Sequence, residues 1–407
     1  MLFANRTATS AMLAAFLASL CSAQEWTEAA VIERFLDQSP YAREARARVA
    51  IAQAESRART MYPNPSAVYS REGAGLTEFF QAEQTLPISG RLKFLREAGT
   101  SQVLATEADS AFSVWQARTS LRQAFYRLLS SQAREAVYLS TLKEIEDVIR
   151  VLRERELQGE GSKFDRLRTE RERAEVLAEL ALVRATTALD RAQMLAFLPA
   201  DTTAPVTISG QIEAPPLTFN RADLATRALS TRQDYIAEQR RVEQYRVERR
   251  AAERLRFPEP IVNAGLKRAE IGQQRIGHGP VVGISIPLPI FNKGQAEVAR
   301  SAAEQERASA RLQVLARQIH AAVDGNVHAF LVRSAARDEY RRELAEAGPE
   351  LIRIATIAYQ EGEISILQLL DTYRLQRQAQ LRMIDIQAVV KEAQIELERV
   401  VGEELGK

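Results

Sequence analysis

The sequence predicts a mainly helical, internally duplicated chain that carries a small β part. Three observations predict it: a feature order that recurs about 200 residues later, two long Pro-poor runs striped with apolar residues, and two alternating stretches around Gly-rich turns. Pro63-Asn64-Pro65 recurs as Pro258-Glu259-Pro260, and Gly159-Glu160-x-Ser162 recurs as Gly362-Glu363-x-Ser365. Each half then reads in the same order: Pro-x-Pro, an extended region, a Pro and Gly cluster, a long helix, the Gly-x-x-Ser turn and a second helix. Pro199 to Pro216 holds four prolines and no helical pattern, so it is expected to link the halves. The expected boundaries are a leader over 1–23, a first repeat over 24–198, the linker over 199–216, a second repeat over 217–402 and a tail over 403–407.

The first element is a targeting segment. Arg6, an apolar run from Ala11 to Leu20 and the small-residue end Cys21-Ser22-Ala23 read as a secretory signal peptide cut before Gln24. The apolar run is about half the roughly 20 residues a bilayer-spanning helix needs. Cys21 is the alternative lipidation point, although Leu20 is larger than the residue such a signal prefers. Cleavage after Ala23 removes the one Cys of the chain, leaving an exported protein with no disulfide framework.

Composition excludes several classes of function. The chain has 407 residues, with 55 Lys+Arg against 53 Asp+Glu, and its formal net charge is +2. Such a balance, with basic residues interspersed among acids, gives no bulk attraction for nucleic acid. One Cys and three His do not make a closed Cys/His zinc site, and no Gly-rich phosphate loop is present. His278 falls in an expected outer loop, and His320 and His328 lie eight residues apart on one helix. No nucleophile, base and orienter set stands out, so no catalytic, cofactor or metal residue is assigned.

Next come the helices. Arg91 to Glu156 contains no Pro and one Gly, with Leu121, Phe125, Leu128 and Leu129 at helical spacing. Leu142, Ile145, Ile149 and Leu152 follow in steps of three, four and three, the spacing of a coiled coil. At 1.5 Å per residue this run makes a helix of roughly 100 Å, which needs partner helices along its length. The second repeat supplies Gly294 to Ala358, return helices span Lys163 to Ala196 and Ile366 to Val401, and Arg43 to Thr60 and Arg221 to Arg256 supply upstream helices. Gly348-Pro349 lies inside the second long helix, where a Pro costs roughly 3 kcal/mol and marks a kink or a break.

Two hairpins complete the inventory. Ser66 to Arg71 and Thr77 to Leu86 flank Gly73-Ala74-Gly75; Ile261 to Ile271 and Pro280 to Ile290 flank Gly272 to Gly279. Strands of about 9 to 11 residues with one apolar and one polar face suit a membrane barrel. Four strands make an open sheet, and open edges in a bilayer leave backbone groups unpaired. Strands in a membrane therefore require the chain to oligomerise. Tyr62, Tyr69, Phe79, Phe80, Phe257 and Phe291 lie in or beside the strands, where aromatic side chains anchor at lipid interfaces.

This arrangement resembles the TolC-type outer-membrane efflux proteins over nearly the whole mature chain, Trp26 to about Gly402. The features that carry the resemblance are the duplicated order, the Pro63-Asn64-Pro65 entry and the exit Gly283-Ile284-Ser285-Ile286-Pro287-Leu288-Pro289-Ile290-Phe291-Asn292-Lys293-Gly294. The tip Tyr359-Gln360-Glu361-Gly362-Glu363-Ile364-Ser365-Ile366-Leu367-Gln368-Leu369-Leu370-Asp371 is a further one. The resemblance implies a homotrimer with a transmembrane β-barrel of four strands per chain, twelve in all, in outer-membrane lipid. It implies that this barrel continues as an α-helical barrel through the periplasm. It also implies docking onto a periplasmic adaptor and an inner-membrane pump of the resistance-nodulation-division class. By the same resemblance, Gly159, Gly161, Ser162, Gly362 and Ser365 are adaptor-docking tips, and Tyr359 and Asp371 belong to the periplasmic aperture. Ile364 replaces a basic residue of the best-known member, and Arg168 stands where the repeat puts Asp371, so the closed-state bonding of that member does not transfer. The run Ser285 to Asn292 most resembles the heavy-metal branch. The expected function is a passive exit duct, with drug or solvent efflux, type I secretion or an exported structural coiled-coil protein as alternatives.

Overall fold

The computed structural model describes residues 25–73, 76–200, 202, 207–272 and 275–406. The expected leader, its cleavage point and Cys21 lie outside them. In chain order the elements are β1 (Glu25–Trp26), α1 (Glu28–Gln38), α2 (Pro40–Ala58), β2 (Ser66–Glu72), β3 (Thr77–Thr85), α3 (Arg91–Leu157) and α4 (Lys163–Leu195). There follow β4 (Thr207–Ile208), α5 (Arg221–Thr231), α6 (Gln233–Glu253), a 3-10 turn (Arg254–Arg256), β5 (Ile261–Glu270), β6 (Ile276–Ser285), α7 (Gln295–Gln360) and α8 (Ile366–Val401). The chain is mainly helical, with a four-stranded sheet and a separate two-stranded one. Both long helices form where the apolar stripe predicts them, and α7 is unbroken over residues 348–349.

The chain divides into two compact units, each drawn from both sequence halves. Among the described residues, the first falls within Met1–Arg43, Val114–Arg221 and Val323–Lys407. Its main core joins Val31 and Phe35 of α1, Leu121, Phe125 and Leu128 of α3, Met194 of α4 and Ile384 and Ile395 of α8. Full burial of each such side chain contributes about 1.5–3 kcal/mol. Short β4 pairs in parallel with β1, Glu25 to Thr207 and Trp26 to Ile208. The expected linker thus carries a strand, and it also buries Ile208, Ile212 and Ala214. Its prolines hid this, because a two-residue strand is too short to show a period.

Through the same unit runs a buried polar network. Arg122 is 7% exposed and its Nε donates to Glu28 Oε1 at 2.5 Å, while its Nη1 donates to Glu398. Tyr126 OH donates to the other Glu28 oxygen at 2.5 Å, and Gln394 Nε2 donates to Glu398 Oε1 at 2.8 Å. Lys391 Nζ donates to Gln394 at 3.2 Å and lies 4.6 Å from the Tyr126 ring centre. Burial pushes the Glu28 carboxyl up, but Arg122, the Tyr126 hydroxyl and Lys391 outweigh it and hold it below the ordinary carboxylate range.

The second unit comprises Glu44–Ser113 and Ala222–Ala322. Its buried helix positions are mostly small: Ala52, Ala98, Ala105, Ala108, Ala237, Ala251, Ala252 and Ala308, with Ser101, Ser110 and Ser301. Small side chains at the contacts let helix axes approach closely. Polar ties supplement this packing, as where Ser89 Oγ donates to Glu259 at 2.6 Å and Arg241 donates to Glu238 at 2.6 Å.

This unit also holds the sheet, an antiparallel meander in the order β2-β3-β5-β6. The register aligns Tyr69 with Phe80, Phe80 with Leu266 and Leu266 with Pro280; the next row is Ala67, Ala82, Ala264 and Val282. Alternation puts these on one face, and Tyr69, Phe80, Leu266, Val282 and Ile284 are all more than half exposed. The opposite face carries Ser70, Gln81, Glu83, Asn263, Lys267, Gly283 and Ser285, and includes Phe79. Hence Phe79 does not share the apolar surface of Tyr69 and Phe80; Lys267 Nζ lies 5.3 Å from its ring centre.

Several expected boundaries move. The strands end at Thr85 and Ser285, because Pro87, Pro287 and Pro289 lack the N–H a ladder needs. Tight turns replace the ladder there, with Ile88 N donating to Leu86 O and Ile290 N donating to Leu288 O, both at 2.8 Å. Strand β6 begins at Ile276, so His278 is a strand residue opposite Arg268 rather than a loop residue. Gly277 and Gly279 hid that strand by adding no side chain to its alternation. The expected helix Arg221 to Arg256 is two helices broken at Arg232, whose guanidinium turns onto Asp234 at 2.6 and 3.0 Å. Residues 28–38 form the additional helix α1, capped by Thr27.

Candidate functional site

Two helical hairpins make the candidate docking tips. At the end of α3, Gly159 N donates to Glu156 O at 3.1 Å and Glu160 N donates to Arg155 O at 3.0 Å. At the end of α7, Gly362 N donates to Tyr359 O at 3.2 Å and Glu363 N donates to Ala358 O at 2.8 Å. Both are Schellman ends, and both place Gly at φ +79°, the left-handed region in which a side chain is strained. Backbone geometry therefore repeats as the sequence does. At Gly161 the constraint is steric instead: an added Cβ would lie 2.7 Å from Glu156 N.

The two tips differ in how the return helix starts. Ser365 caps α8 with a capping box, its Oγ accepting from Gln368 N at 3.4 Å while Gln368 Oε1 accepts from Ser365 N at 2.8 Å. Ser162 holds the same position before α4 without a side-chain cap bond. Around the first tip, Leu157, Phe164 and Leu167 stand exposed. No periodicity identified them, because an apolar residue at a helix end reads the same whether it faces a core or water.

The candidate aperture residues separate. Tyr359 packs against a cluster formed by Leu152, Ala355, Ile366, Leu369, Leu370 and Tyr373, with the Arg155 guanidinium 5.7 Å from its ring centre. Burial pushes its hydroxyl pKa up, against the pull of Arg155. Asp371 is exposed and lines a cleft of 320 Å³ together with Arg168, Glu172, Leu367, Gln368, Leu370 and Arg374. Among the described residues no hydrogen bond joins Tyr359 to Asp371. Arg168 and Asp371, equivalent by the repeat, line this one cleft.

The ion pair that dominates the cleft was not singled out in the sequence. Glu172 is 5% exposed; Arg374 Nε donates to both of its oxygens at 3.0 Å, Arg374 Nη2 adds a third bond, and Arg377 lies at 3.8 Å. The Arg374 bonds outweigh burial and hold the Glu172 carboxyl below its ordinary range, and Glu172 in turn raises Arg374. Charged residues at these positions read as a solvated face until the contact between α4 and α8 is known. His320 and His328 are exposed, and among the described residues no group of three or more His, Cys, Asp or Glu gathers to hold a metal ion. No described helix is long and apolar enough to cross a membrane. The exposed apolar surface of membrane type is the sheet face.

The chain thus combines an open sheet bearing an exposed apolar face with paired long-helix hairpins. Residues 224–403 match the family model described as "Outer membrane efflux protein". The cobalt-zinc-cadmium resistance protein CzcC of Cupriavidus metallidurans is 23% identical over 150 residues, which cover 36% of this chain and 34% of CzcC. The aligned segment thus spans about a third of that relative. A crystal structure of a membrane protein from Pseudomonas aeruginosa superposes with a TM-score of 0.75 at 19% identity, covering 92% of each chain. The outer membrane protein VceC of Vibrio cholerae superposes with a TM-score of 0.70 at 20% identity, covering 93% of this chain and 96% of VceC. Residues 224–403 are thus similar to the outer membrane efflux protein family, and the whole chain has the TolC-type fold. This places it in the outer membrane, with its helices on the periplasmic side.

Proposed function

We propose that the chain is the outer-membrane duct of a tripartite efflux system, a passive exit with no catalysis and no cofactor. The observation that carries this reading is the open sheet with an exposed apolar face. Strands β2 and β6 each pair on one side only among the described residues, and a bilayer does not tolerate such edges. Three copies close a twelve-stranded barrel, and the same assembly joins the long helices into a tunnel. A periplasmic adaptor docks on the tips at Gly159, Gly161, Ser162, Gly362 and Ser365, and an inner-membrane pump supplies the energy. The exposed Leu157, Phe164 and Leu167 support docking there, since they offer apolar contact at a helix turn. Tyr359 and Asp371 belong to the periplasmic aperture, with Arg168 and the Glu172–Arg374 pair in the same cleft as Asp371.

Heavy-metal cations are the proposed cargo. Supporting this are the similarity to CzcC, named for cobalt, zinc and cadmium resistance, and the Ser285 to Asn292 run. The test is growth of a deletion strain and its complemented control across graded zinc, cobalt, cadmium, copper, silver and a drug panel. Selective metal sensitivity restored by the gene is the expected result. Sensitivity to drugs alone, or none at all, would overturn the metal assignment.

A further inference from the structure

The apolar sheet face ends in a charged row. Arg71 pairs with Glu78, Glu78 with Arg268 and Arg268 with His278, so a single cross-strand row holds these four side chains on the exposed face. Glu270 follows one row further out. Immediately inside the row lie Tyr69 and Phe80, ring centres 5.0 Å apart, with the Tyr69 hydroxyl donating to Glu78 at 3.0 Å. A ring toward the apolar side and a hydroxyl toward the charges is the posture of an aromatic residue at a membrane–water interface. Helices α2, α3, α6 and α7 adjoin the opposite strand ends, and the helices are periplasmic. The row therefore lies at the outer-leaflet head groups.

Its charges are incompletely paired within one copy. Glu78 accepts from Arg268 Nη1 at 3.2 Å, but Arg268 Nε is buried with no partner, and Arg71 makes no ion pair among the described residues. Arg71 stands on edge strand β2 and His278 on edge strand β6. In a closed antiparallel barrel, β6 of one copy lies beside β2 of the next. A seam that continues this row sets Arg268 and His278 beside Arg71 of the next copy, a cluster of hydrogen-bond donors that includes two guanidinium groups. Adjacent strands are about 4.8 Å apart, which spaces these donors over roughly 10 Å, the reach of one phosphorylated head group. Arginine's planar fork matches phosphate oxygens in pairs.

We propose that each seam binds a phosphate-bearing lipid head group of the outer leaflet, held by Arg268, His278 and Arg71 of the next copy. This rests on the trimeric-barrel reading. Glu78, at the centre of the row, weakens the site by engaging Arg268. The full-length protein in detergent is titrated with bis-phosphorylated lipid A and with its dephosphorylated form, and bound lipid is counted by native mass spectrometry. The expected result is one phosphorylated lipid retained per seam, with retention weakened roughly tenfold by Arg268→Ala or Arg71→Ala. Glu78→Gln, which frees Arg268, strengthens it. Equal retention of the dephosphorylated lipid, or unchanged retention in all three variants, overturns the site. The same spectrum reads the assembly: a protein that is not trimeric defeats the barrel reading, whereas a trimer indifferent to phosphate defeats only this inference.

Discussion

Arg122→Met is the most informative perturbation of the fold. Met retains much of the stem volume but removes the guanidinium that Glu28 and Glu398 share. The Glu398 side chain is 2% exposed, so water cannot replace the lost partner, and among the described residues only Gln394 at 2.8 Å still donates to it. Removing one member of a buried ion pair costs about 3–5 kcal/mol, chiefly from the charge left behind. At about 2–4 °C per kcal/mol, the midpoint should fall by roughly 6–20 °C. Trp26 packs on this unit's core and Trp115 lies beside Arg118 at 5.2 Å, so tryptophan fluorescence during heating of the solubilised protein reports the unit directly. Adding Glu398→Gln to Arg122→Met should recover part of the loss, because it removes the stranded charge. A fall below about 2 °C, or a double variant no better than the single one, would refute the argument that desolvated charge dominates.

Acid should reveal the same network. The folded pKa of Glu28 lies below its unfolded value, so its stabilisation is full above ordinary carboxylate pKa values and is lost as pH falls through the folded value. Glu172 acts with the same sign. The melting midpoint should therefore decline from about pH 5 downward, and Glu28→Gln should flatten that decline while lowering the midpoint at neutral pH. At the tips, Gly362→Ala should cost about 1–2 kcal/mol from backbone strain alone, since nothing lies within 4 Å of the added Cβ. Gly161→Ala should cost more, because its Cβ meets backbone at 2.7 Å; hydrogen exchange of the two hairpins compares them. Ser365→Ala should raise exchange at the start of α8 by about 1 kcal/mol, whereas Ser162→Ala, with no cap bond to lose, should leave α4 nearly unchanged.

Much of the architecture was legible because its signals are local. Leu142, Ile145, Ile149 and Leu152 step at helical spacing wherever their partners lie, and a left-handed turn selects Gly at 159 and 362 without help from the rest of the fold. The duplication was legible for a simpler reason, since it compares the sequence with itself. The first part of strand β6, Ile276 to Gly279, was not legible, because Gly277 and Gly279 leave no alternation to read; pairing with β5 creates that part of the strand. Short β4 exists only through β1, which lies far from it in sequence.

Tertiary structure alone decided which charged residues matter. Arg122, Glu172, Lys391 and Glu398 look like any of the chain's many solvated charges, because burial is a property of the packed helices and not of the residue. It also decided that Arg168 and Asp371 share a cleft while Tyr359 belongs to another cluster. Periodicity fixes which face of a helix is apolar, yet the polar contacts depend on rotation and register between helices. Those are set by interlocking side chains from segments up to hundreds of residues apart, so no local pattern encodes them.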